Sequence, residues 1–366
     1  MKRLVICCDG TWNTPDQAKE GHPCPTNVTK LALGVAESDG DVAQRLYYHR
    51  GVGSYGRPRI RGGAFGVGLS RDVRRAYRFI VDNYEPGDEL FLFGFSRGAF
   101  TARSVAGLIH NAGVLRAENA HRLEDAYALY RARAVKPRDI ESELFRRSYS
   151  HESSTFKTRI RFIGVWDTVG ALGIPTLGPK FLTNWVNRRF AFHNTELSSR
   201  VDAAFHALAI DEKRRAFKPT SWSKRDEVRG QRIEQVWFPG VHSDVGGGYR
   251  EGELADVSLR WMASRAEENG LAFRPGAFTK SGDWGVPGTD LPAVDPDPLG
   301  TLHESRTGVY RMQRRLYRLE TDDGRGAGVA VASTAAERFD ELETYRPRGY
   351  AEFVGRYPTR EIDWER

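Results

Sequence analysis

The chain has 366 residues, of which 40% are hydrophobic and 28% charged, a balance typical of a globular protein with a sizeable core. It contains no run of about 18 apolar residues, which excludes a membrane-spanning helix, and its three cysteines argue against a disulfide framework. The net charge of +7 indicates either a solvated basic surface or attraction to an anionic surface such as phospholipid head groups, and no motif for nucleic-acid recognition accompanies it.

The first predicted element is a buried strand at residues 3–8. Its apolar run is short and Asp9 follows at once, so we expect a strand rather than a secretory signal, and synthesis in the reducing cytoplasm. A helix at 27–37 with Asn27 as its N-cap comes next, and a second strand is predicted at 45–49.

Strand and helix signals alternate over the first 110 residues, which predicts a mostly parallel central sheet flanked by helices. A glycine-rich connection at 51–68 leads into a helix at 70–84. A strongly apolar strand at 89–95 and a helix at 97–110 follow. We therefore expect the α/β class, in a single domain spanning 1–366.

Two segments interrupt this alternation, at 111–157 and 174–197, and are predicted to be helical or irregular cap insertions. Beyond residue 273 the chain is rich in Gly, Pro and Asp, which predicts a loop-rich C-terminal region at 274–366. The remaining predicted elements are a strand at 159–166, a helix at 198–210, a strand at 232–238 and a helix at 254–268.

Polar or glycine residues closely follow four of the predicted strands. In a parallel sheet the carboxyl ends of the strands lie along one edge, where open α/β sheets build their sites. We therefore expect these residues to lie close together. They are Asp9-Gly10-Thr11, Ser96-Arg97-Gly98, Asp167-Thr168 and Gly240-Val241-His242.

Ser96 is the predicted nucleophile. It lies within the sequence Gly94-Phe95-Ser96-Arg97-Gly98, which fits the G-x-S-x-G pattern of a nucleophile elbow between a strand and a helix. The glycines suit this sharp, strained turn, because side chains there would collide with neighbouring backbone. The alternative is an ordinary strand-to-helix turn capped by a serine.

A serine hydroxyl needs a histidine base that a carboxylate holds in one tautomer, and in this fold the chain order is serine, acid, histidine. Asp167 and His242 fit that order after Ser96. His206 is the rival base, but its helix-like context predicts a supporting contact. Asp244 is the rival acid, but it lies two residues from His242 and is predicted to hold the loop there. This chemistry needs no cofactor or metal, and the cysteine spacing matches no zinc template.

An oxyanion hole needs two backbone N–H donors. We expect one from Arg97, directly after the nucleophile, and the other from Gly10 or Thr11 in the loop after the first strand. Asp9 is predicted to brace the two loops by pairing with Arg97. The alternative for the first loop is a plain turn at the end of a strand.

Five ordered motifs carry a family resemblance, at residues 8–13, 94–99, 165–170, 206–212 and 237–249. They resemble the DUF2235 family of α/β hydrolases, which includes the catalytic domain of type VI secretion phospholipase effectors of the first lipase class. The resemblance implies Ser96, Asp167 and His242 as a catalytic triad and a phospholipase A-like activity. It also implies a secretion-system or immunity protein as partner, with export by a signal-independent secretion system.

Together these features predict a serine hydrolase with an α/β-hydrolase fold that cleaves carboxylic esters through an acyl-enzyme. Lipid or phospholipid is the expected substrate, with peripheral contact to an anionic membrane surface. The alternatives are a non-lipid carboxylesterase or thioesterase, and a non-catalytic binding module that keeps the fold. A phosphoryl-transfer enzyme of the haloacid-dehalogenase type would use Asp9 and a second aspartate two positions later, where this chain has Thr11.

Overall fold

A nine-stranded sheet forms the centre of the computed structural model. Every neighbouring pair of strands in it is parallel except the edge pair β4–β5. The order is β11-β10-β9-β8-β7-β6-β1-β5-β4, while β2 and β3 pair separately. The strands are β1 (Arg3–Cys8), β2 (Ala18–Lys19), β3 (His22–Pro23), β4 (Ser38–Asp39), β5 (Val42–His49), β6 (Glu89–Phe95), β7 (Ile160–Trp166), β8 (Val201–Ala209), β9 (Arg232–Phe238), β10 (Val329–Ala332) and β11 (Thr359–Arg360). The structure describes residues 1–10, 18–19, 22–51, 63–132, 135–169, 196–223, 230–280 and 293–364.

Helices cover both faces of this sheet. Alternate residues of β6 point to opposite faces, so that Phe91 and Phe93 join one hydrophobic core, and Leu90 and Leu92 join the other. The predicted α/β class with a mostly parallel sheet flanked by helices is thereby confirmed. The helices are α1 (Asn27–Gly34), α2 (Gly63–Asn83), α3 (Arg97–Ala112), α4 (Leu123–Arg131), α5 (Ile140–Tyr149), α6 (His242–Gly246), α7 (Glu253–Glu268), α8 (Ser333–Glu341) and α9 (Tyr350–Arg356), with 3₁₀ turns at Ala117–Arg122, Arg215–Phe217 and Gly308–Met312.

The predicted helix at 198–210 is wrong, because the chain forms strand β8 there. This strand lies in the interior of the sheet and is buried on both faces, and periodicity does not separate such a strand from a buried helix. Its alanines favour a helix in isolation, and tertiary pairing overrides that weak preference. The N-cap of α1 is Thr26 rather than Asn27, since the Thr26 hydroxyl accepts from the N–H of Thr29.

The expected insertions and the C-terminal region have different outcomes. Within 111–157, α4 and α5 pack against α3, and α4 adds Leu129 and Tyr130 to the core that α2 and α3 share. Nearly all of 174–197 lies outside the described residues. The region 274–366 contributes β10, β11, α8 and α9, which is more regular structure than its composition predicts. A capping role for either insertion stays a prediction.

The strand order reverses between β1 and β6. From β1 the chain adds β5 on one side, and from β6 it adds β7 on the other. Open α/β sheets bind ligands in the crevice outside the carboxyl ends of the strands at such a point. The loop that begins with Asp9 and the turn that carries Ser96 follow these two strands, so the topology directs attention to this crevice.

Candidate active site

Ser96 lies in a strained turn between β6 and α3. Its φ of 57° and ψ of −116° are rare for a residue other than glycine. Its N–H donates to the carbonyl oxygen of Trp166 at 3.0 Å, which ties the turn to the end of β7. A strained serine at a strand-to-helix junction is the geometry of a nucleophile elbow, which presents the hydroxyl at the edge of the sheet.

Two glycines make this turn sterically feasible. A Cβ added at Gly98 would lie 1.9 Å from the carbonyl oxygen of Cys8, and one added at Gly94 would lie 2.4 Å from the carbonyl oxygen of Gly98. Both contacts are with backbone, which cannot rotate away as a side chain can. The first turn of α3 therefore approaches the carboxyl end of β1 more closely than a side chain allows.

Asp167 and His242 form a buried hydrogen-bonded pair just past the carboxyl ends of β7 and β9, the two strands on either side of β8. Asp167 directly follows β7 with a φ of 37°, and His242 begins α6 shortly after β9. His242 Nδ1 lies 2.5 Å from Asp167 Oδ2. Beside a carboxylate, Nδ1 carries the proton of the neutral ring, which leaves Nε2 to accept one.

Two aromatic rings hold the imidazole of His242. The ring of Phe95 lies 4.6 Å from it between centroids, and the ring of Phe217 packs edge-on at 4.9 Å. Because Phe95 directly precedes Ser96, the first contact places His242 beside the strained turn. The structure thus brings Ser96, Asp167 and His242 to one edge of the sheet, as their positions after strands predict.

Burial and the neighbouring charges keep the Asp167–His242 pair from taking up an additional proton. Burial alone would raise the pKa of Asp167, but the Arg318 guanidinium and the bond to His242 outweigh it and hold that pKa well below its ordinary value. Burial lowers the pKa of His242, and the bond to Asp167 opposes that effect without cancelling it. At neutral pH the pair is therefore a carboxylate and a neutral imidazole, which is the state a general base requires.

Arg318 contacts Asp167, and the sequence does not predict this contact. It belongs to the C-terminal region, yet its guanidinium donates to both oxygens of Asp167, at 2.7 and 3.0 Å. Glu212 was missed as well: its carboxylate is 3.4 Å from the backbone nitrogen of His242 and is paired with Arg214. The sequence shows Arg318 as one of several arginines in a basic stretch, with no signal that distinguishes it.

His206 and Asp244 take supporting positions. His206 is fully buried in β8, and its Nε2 accepts from the N–H of Thr168 at 3.1 Å, so it holds the turn that carries Asp167. Burial lowers the pKa of His206 to about 3, which keeps its ring neutral. The carboxylate of Asp244 accepts from the N–H of Val241 at 3.0 Å and lies 2.6 Å from His303 Nδ1, while Asp167 lies beside His242.

The loop after β1 differs from the expectation in one respect. The N–H of Gly10 donates to the side chain of Asp9 at 2.6 Å, so it is directed to that carboxylate rather than toward a substrate oxygen. Asp9 also accepts from the hydroxyls of Thr26, Thr29 and Tyr48 at 2.7 to 2.9 Å, which anchors the start of the loop.

The other residues predicted for an oxyanion hole keep that role as a prediction. Thr11 lies outside the described residues. Arg97 occupies the first position of α3, where the backbone N–H has no acceptor within the helix. The expected pairing of Asp9 with Arg97 also stays a prediction.

In the described part of the chain, no group of three or more His, Cys, Asp or Glu side chains is arranged to hold a metal ion. No helix among the described residues is long and apolar enough to cross a bilayer. The three cysteines, Cys7, Cys8 and Cys24, are buried and form no disulfide with one another.

Comparison with known proteins identifies a family. Residues 2–265 match the profile described as "T6SS, Phospholipase effector Tle1-like, catalytic domain". An uncharacterised protein of Saccharomyces cerevisiae is 29% identical over 240 residues, which cover 59% of this chain and 32% of the yeast protein.

Solved structures give more distant similarities. A crystal structure of an uncharacterised protein from Pseudomonas aeruginosa aligns with a TM-score of 0.46 at 19% identity, and covers 75% of this chain and 46% of that one. A structure of the Tle1 effector bound to the VgrG spike of the type VI secretion system aligns with a TM-score of 0.39 at 19% identity, and covers 68% of this chain and 51% of that one. The chain thus spans about a third of the yeast relative and about half of each of these two structures.

Proposed function

The chain belongs to the family of Tle1-like catalytic domains of type VI secretion phospholipase effectors, and from this premise we propose that it is a serine hydrolase that cleaves a carboxylic ester of a phospholipid. The observation that carries the proposal is the strained Ser96 beside the buried Asp167–His242 pair at the switch point of the sheet. A nucleophile, a base and an orienting carboxylate in this relation are the parts that acyl transfer requires.

In the proposed reaction, Ser96 Oγ attacks the ester carbonyl while Nε2 of His242 takes the hydroxyl proton. The tetrahedral oxyanion is stabilised by the N–H groups of Arg97 and Thr11. When the carbon–oxygen ester bond breaks, His242 returns the proton to the departing alcohol and an acyl-enzyme remains. Water then attacks that acyl group, His242 accepts its proton, and the proton returns to Ser96 as the free acid leaves. Asp167 stays ionised throughout and stabilises the imidazolium that forms twice.

Phospholipid is the proposed substrate because the family description names phospholipase effectors and because the chain carries a net charge of +7. A basic protein is attracted to anionic head groups. A non-lipid carboxylesterase or thioesterase would use the same triad, so the substrate has to be distinguished by assay. A non-catalytic module would keep the fold without turnover.

The test compares wild type with Ser96→Ala and Ser104→Ala. Ser104 is a matched control, because it is a buried serine within α3, the helix that directly follows Ser96. Each protein is treated with a fluorophosphonate probe and assayed on phospholipid vesicles, on a short soluble ester and on an acyl thioester.

We expect the probe to label wild type and Ser104→Ala and not Ser96→Ala, whose turnover should fall on the order of 10⁴-fold or more. Turnover by Ser96→Ala within tenfold of wild type would refute the nucleophile assignment. Hydrolysis of the short ester without hydrolysis of phospholipid would favour the carboxylesterase alternative. Absence of both labelling and turnover in wild type would favour the non-catalytic alternative.

We further propose export through a type VI secretion system, on the basis of the family description. A structural component of that system is the partner this route implies, and an immunity protein is the second. The measurement is the appearance of the protein outside cells of its host with the secretion system intact and with it deleted. Equal amounts in both strains would contradict the proposal.

A further inference from the structure

Arg318 is held in place by four hydrogen bonds of its two terminal nitrogens. Nη1 donates to Asp167 Oδ1 at 2.7 Å and to the carbonyl oxygen of Ala209 at 2.8 Å. Nη2 donates to Asp167 Oδ2 at 3.0 Å and to the carbonyl oxygen of Phe217 at 2.5 Å. The side chains of Arg318 and Asp167 are both fully buried. One guanidinium thereby joins the carboxylate, the end of β8 and the turn whose Phe217 ring packs on His242.

A buried pair of this kind acts on geometry and on charge together. The planar guanidinium meets the carboxylate through two parallel hydrogen bonds, which restricts rotation of the Asp167 side chain. The N–H of Ala209 adds a donor to Oδ1 at 3.2 Å, so His242 meets a carboxylate with a single orientation. The contact comes from beyond residue 265, where the family match ends.

The remaining charged groups near the pair do not replace Arg318. Glu212 and Arg214 lie beside His242, but they form an ion pair with each other at 2.7 Å. His206 is neutral, and the guanidinium of Arg103 donates to the carbonyl oxygen of Thr220. On α6 itself, Asp244 is paired with His303.

We propose that Arg318 is a positioning residue of this site: its guanidinium fixes the orientation of the Asp167 carboxylate toward His242, and its charge opposes the uptake of a proton by the Asp167–His242 pair. The inference rests on the proposed function for its catalytic meaning. The effect of Arg318 on protonation can be measured without turnover. A neighbouring positive charge lowers the proton affinity of the pair whichever of the two residues holds the proton.

The experiment titrates His242 by NMR of ¹⁵N-labelled histidine side chains, with the His242 signals assigned by their loss in His242→Gln. Wild type is compared with Arg318→Met, Arg318→Lys and the control Arg338→Met. Arg338 is also a buried arginine of the C-terminal region, and its guanidinium donates to the carbonyl oxygens of Pro298 and Gly300 instead of to a residue of the Asp167–His242 pair. The rate of ester hydrolysis is measured for each protein across the same pH range.

We expect Arg318→Met to move the protonation of the pair to a pH higher by about 1–2 units and to move the acid limb of kcat/KM by the same amount. Arg338→Met should leave both unchanged, even if it lowers stability. An unchanged titration in folded Arg318→Met would overturn the proposal. If wild type shows no turnover, the proposed function fails, and the titration still decides the role of Arg318.

Arg318→Met leaves Asp167 buried without its cation, which is strongly destabilising, so Arg318→Lys provides the second test. Lysine keeps the charge and loses the two parallel hydrogen bonds. We expect the titration of His242 to stay within about half a pH unit of wild type and kcat to fall about tenfold or more, with little change in KM. A kcat equal to that of wild type would overturn the positioning role.

Discussion

Replacement of Gly98 by alanine tests whether the close approach of α3 to β1 builds the site. The added Cβ would lie 1.9 Å from the carbonyl oxygen of Cys8 and 2.6 Å from that of Asp9. An ordinary contact begins at 3.4 Å, so the helix and the strand would have to separate by about 1.5 Å, the difference between these distances. The strand is hydrogen-bonded on both sides within the sheet, so the first turn of α3 has to move, and Ser96 moves with it.

This displacement sets the expected magnitudes. Overpacking of a core typically costs about 1–3 kcal/mol, and we expect Gly98→Ala to lower the free energy of unfolding by about 3 kcal/mol because both colliding groups are backbone. A shift of about 1 Å in a catalytic group costs about 10²-fold in rate. We therefore expect kcat/KM for ester hydrolysis to fall about 100-fold or more.

The assay combines chemical denaturation with steady-state kinetics, and Gly355→Ala is the control. Gly355 lies in helix α9, and among the described residues no atom outside the local helix backbone comes within 4 Å of an added Cβ, so its replacement should be neutral or stabilise by up to about 1 kcal/mol. If Gly98→Ala unfolds at the same denaturant concentration as wild type and keeps kcat/KM within threefold, the steric argument for the elbow is refuted.

Three further predictions follow from charge. Because burial lowers the pKa of His242, kcat/KM should hold its plateau below pH 6.5, and an acid inflection above that pH in a pH–rate profile would contradict the assignment. The hydrogen bond to Asp244 raises the pKa of His303. The His303–Asp244 pair therefore makes its full contribution to the free energy of unfolding below about pH 6.5, and this contribution is lost as the pH rises through the folded-state pKa of His303. The loss of unfolding free energy in His303→Gln should therefore be larger at pH 5.5 than at pH 8.5, and equal losses would disprove it. Finally, the charge of +7 predicts faster hydrolysis of anionic than of neutral vesicles, a difference that shrinks in high salt and is absent for a short soluble ester; equal rates on both vesicles at low salt would refute it.

Local sequence signals predicted the parts of the site that follow strands. The bounds of β1, β6 and β9 agree with the predicted strands, because short apolar runs bounded by glycine, proline or charged residues are strong local signals. Ser96 and Asp167 follow such strands directly, and the prediction that they meet His242 needed no more than parallel pairing.

Where burial rather than pattern decides the element, the local signals failed. Strand β8 is rich in alanine and buried on both faces, so its sequence carries neither the alternation of an exposed strand nor an argument against a helix. The direction of the Gly10 N–H toward Asp9 is a similar case, because it depends on a carboxylate whose position the hydroxyls of Thr26, Thr29 and Tyr48 set.

The sequence by itself determined the α/β class and the order of serine, aspartate and histidine along the carboxyl edge, since both follow from short-range pattern and strand polarity. The tertiary structure alone decided what surrounds that edge. Arg318 lies 151 positions after Asp167, and its pairing depends on the C-terminal region folding back over β8. No local pattern distinguishes one buried arginine from the exposed arginines beside it. The charge that holds Asp167 ionised was therefore visible in the folded chain and not in the order of its residues.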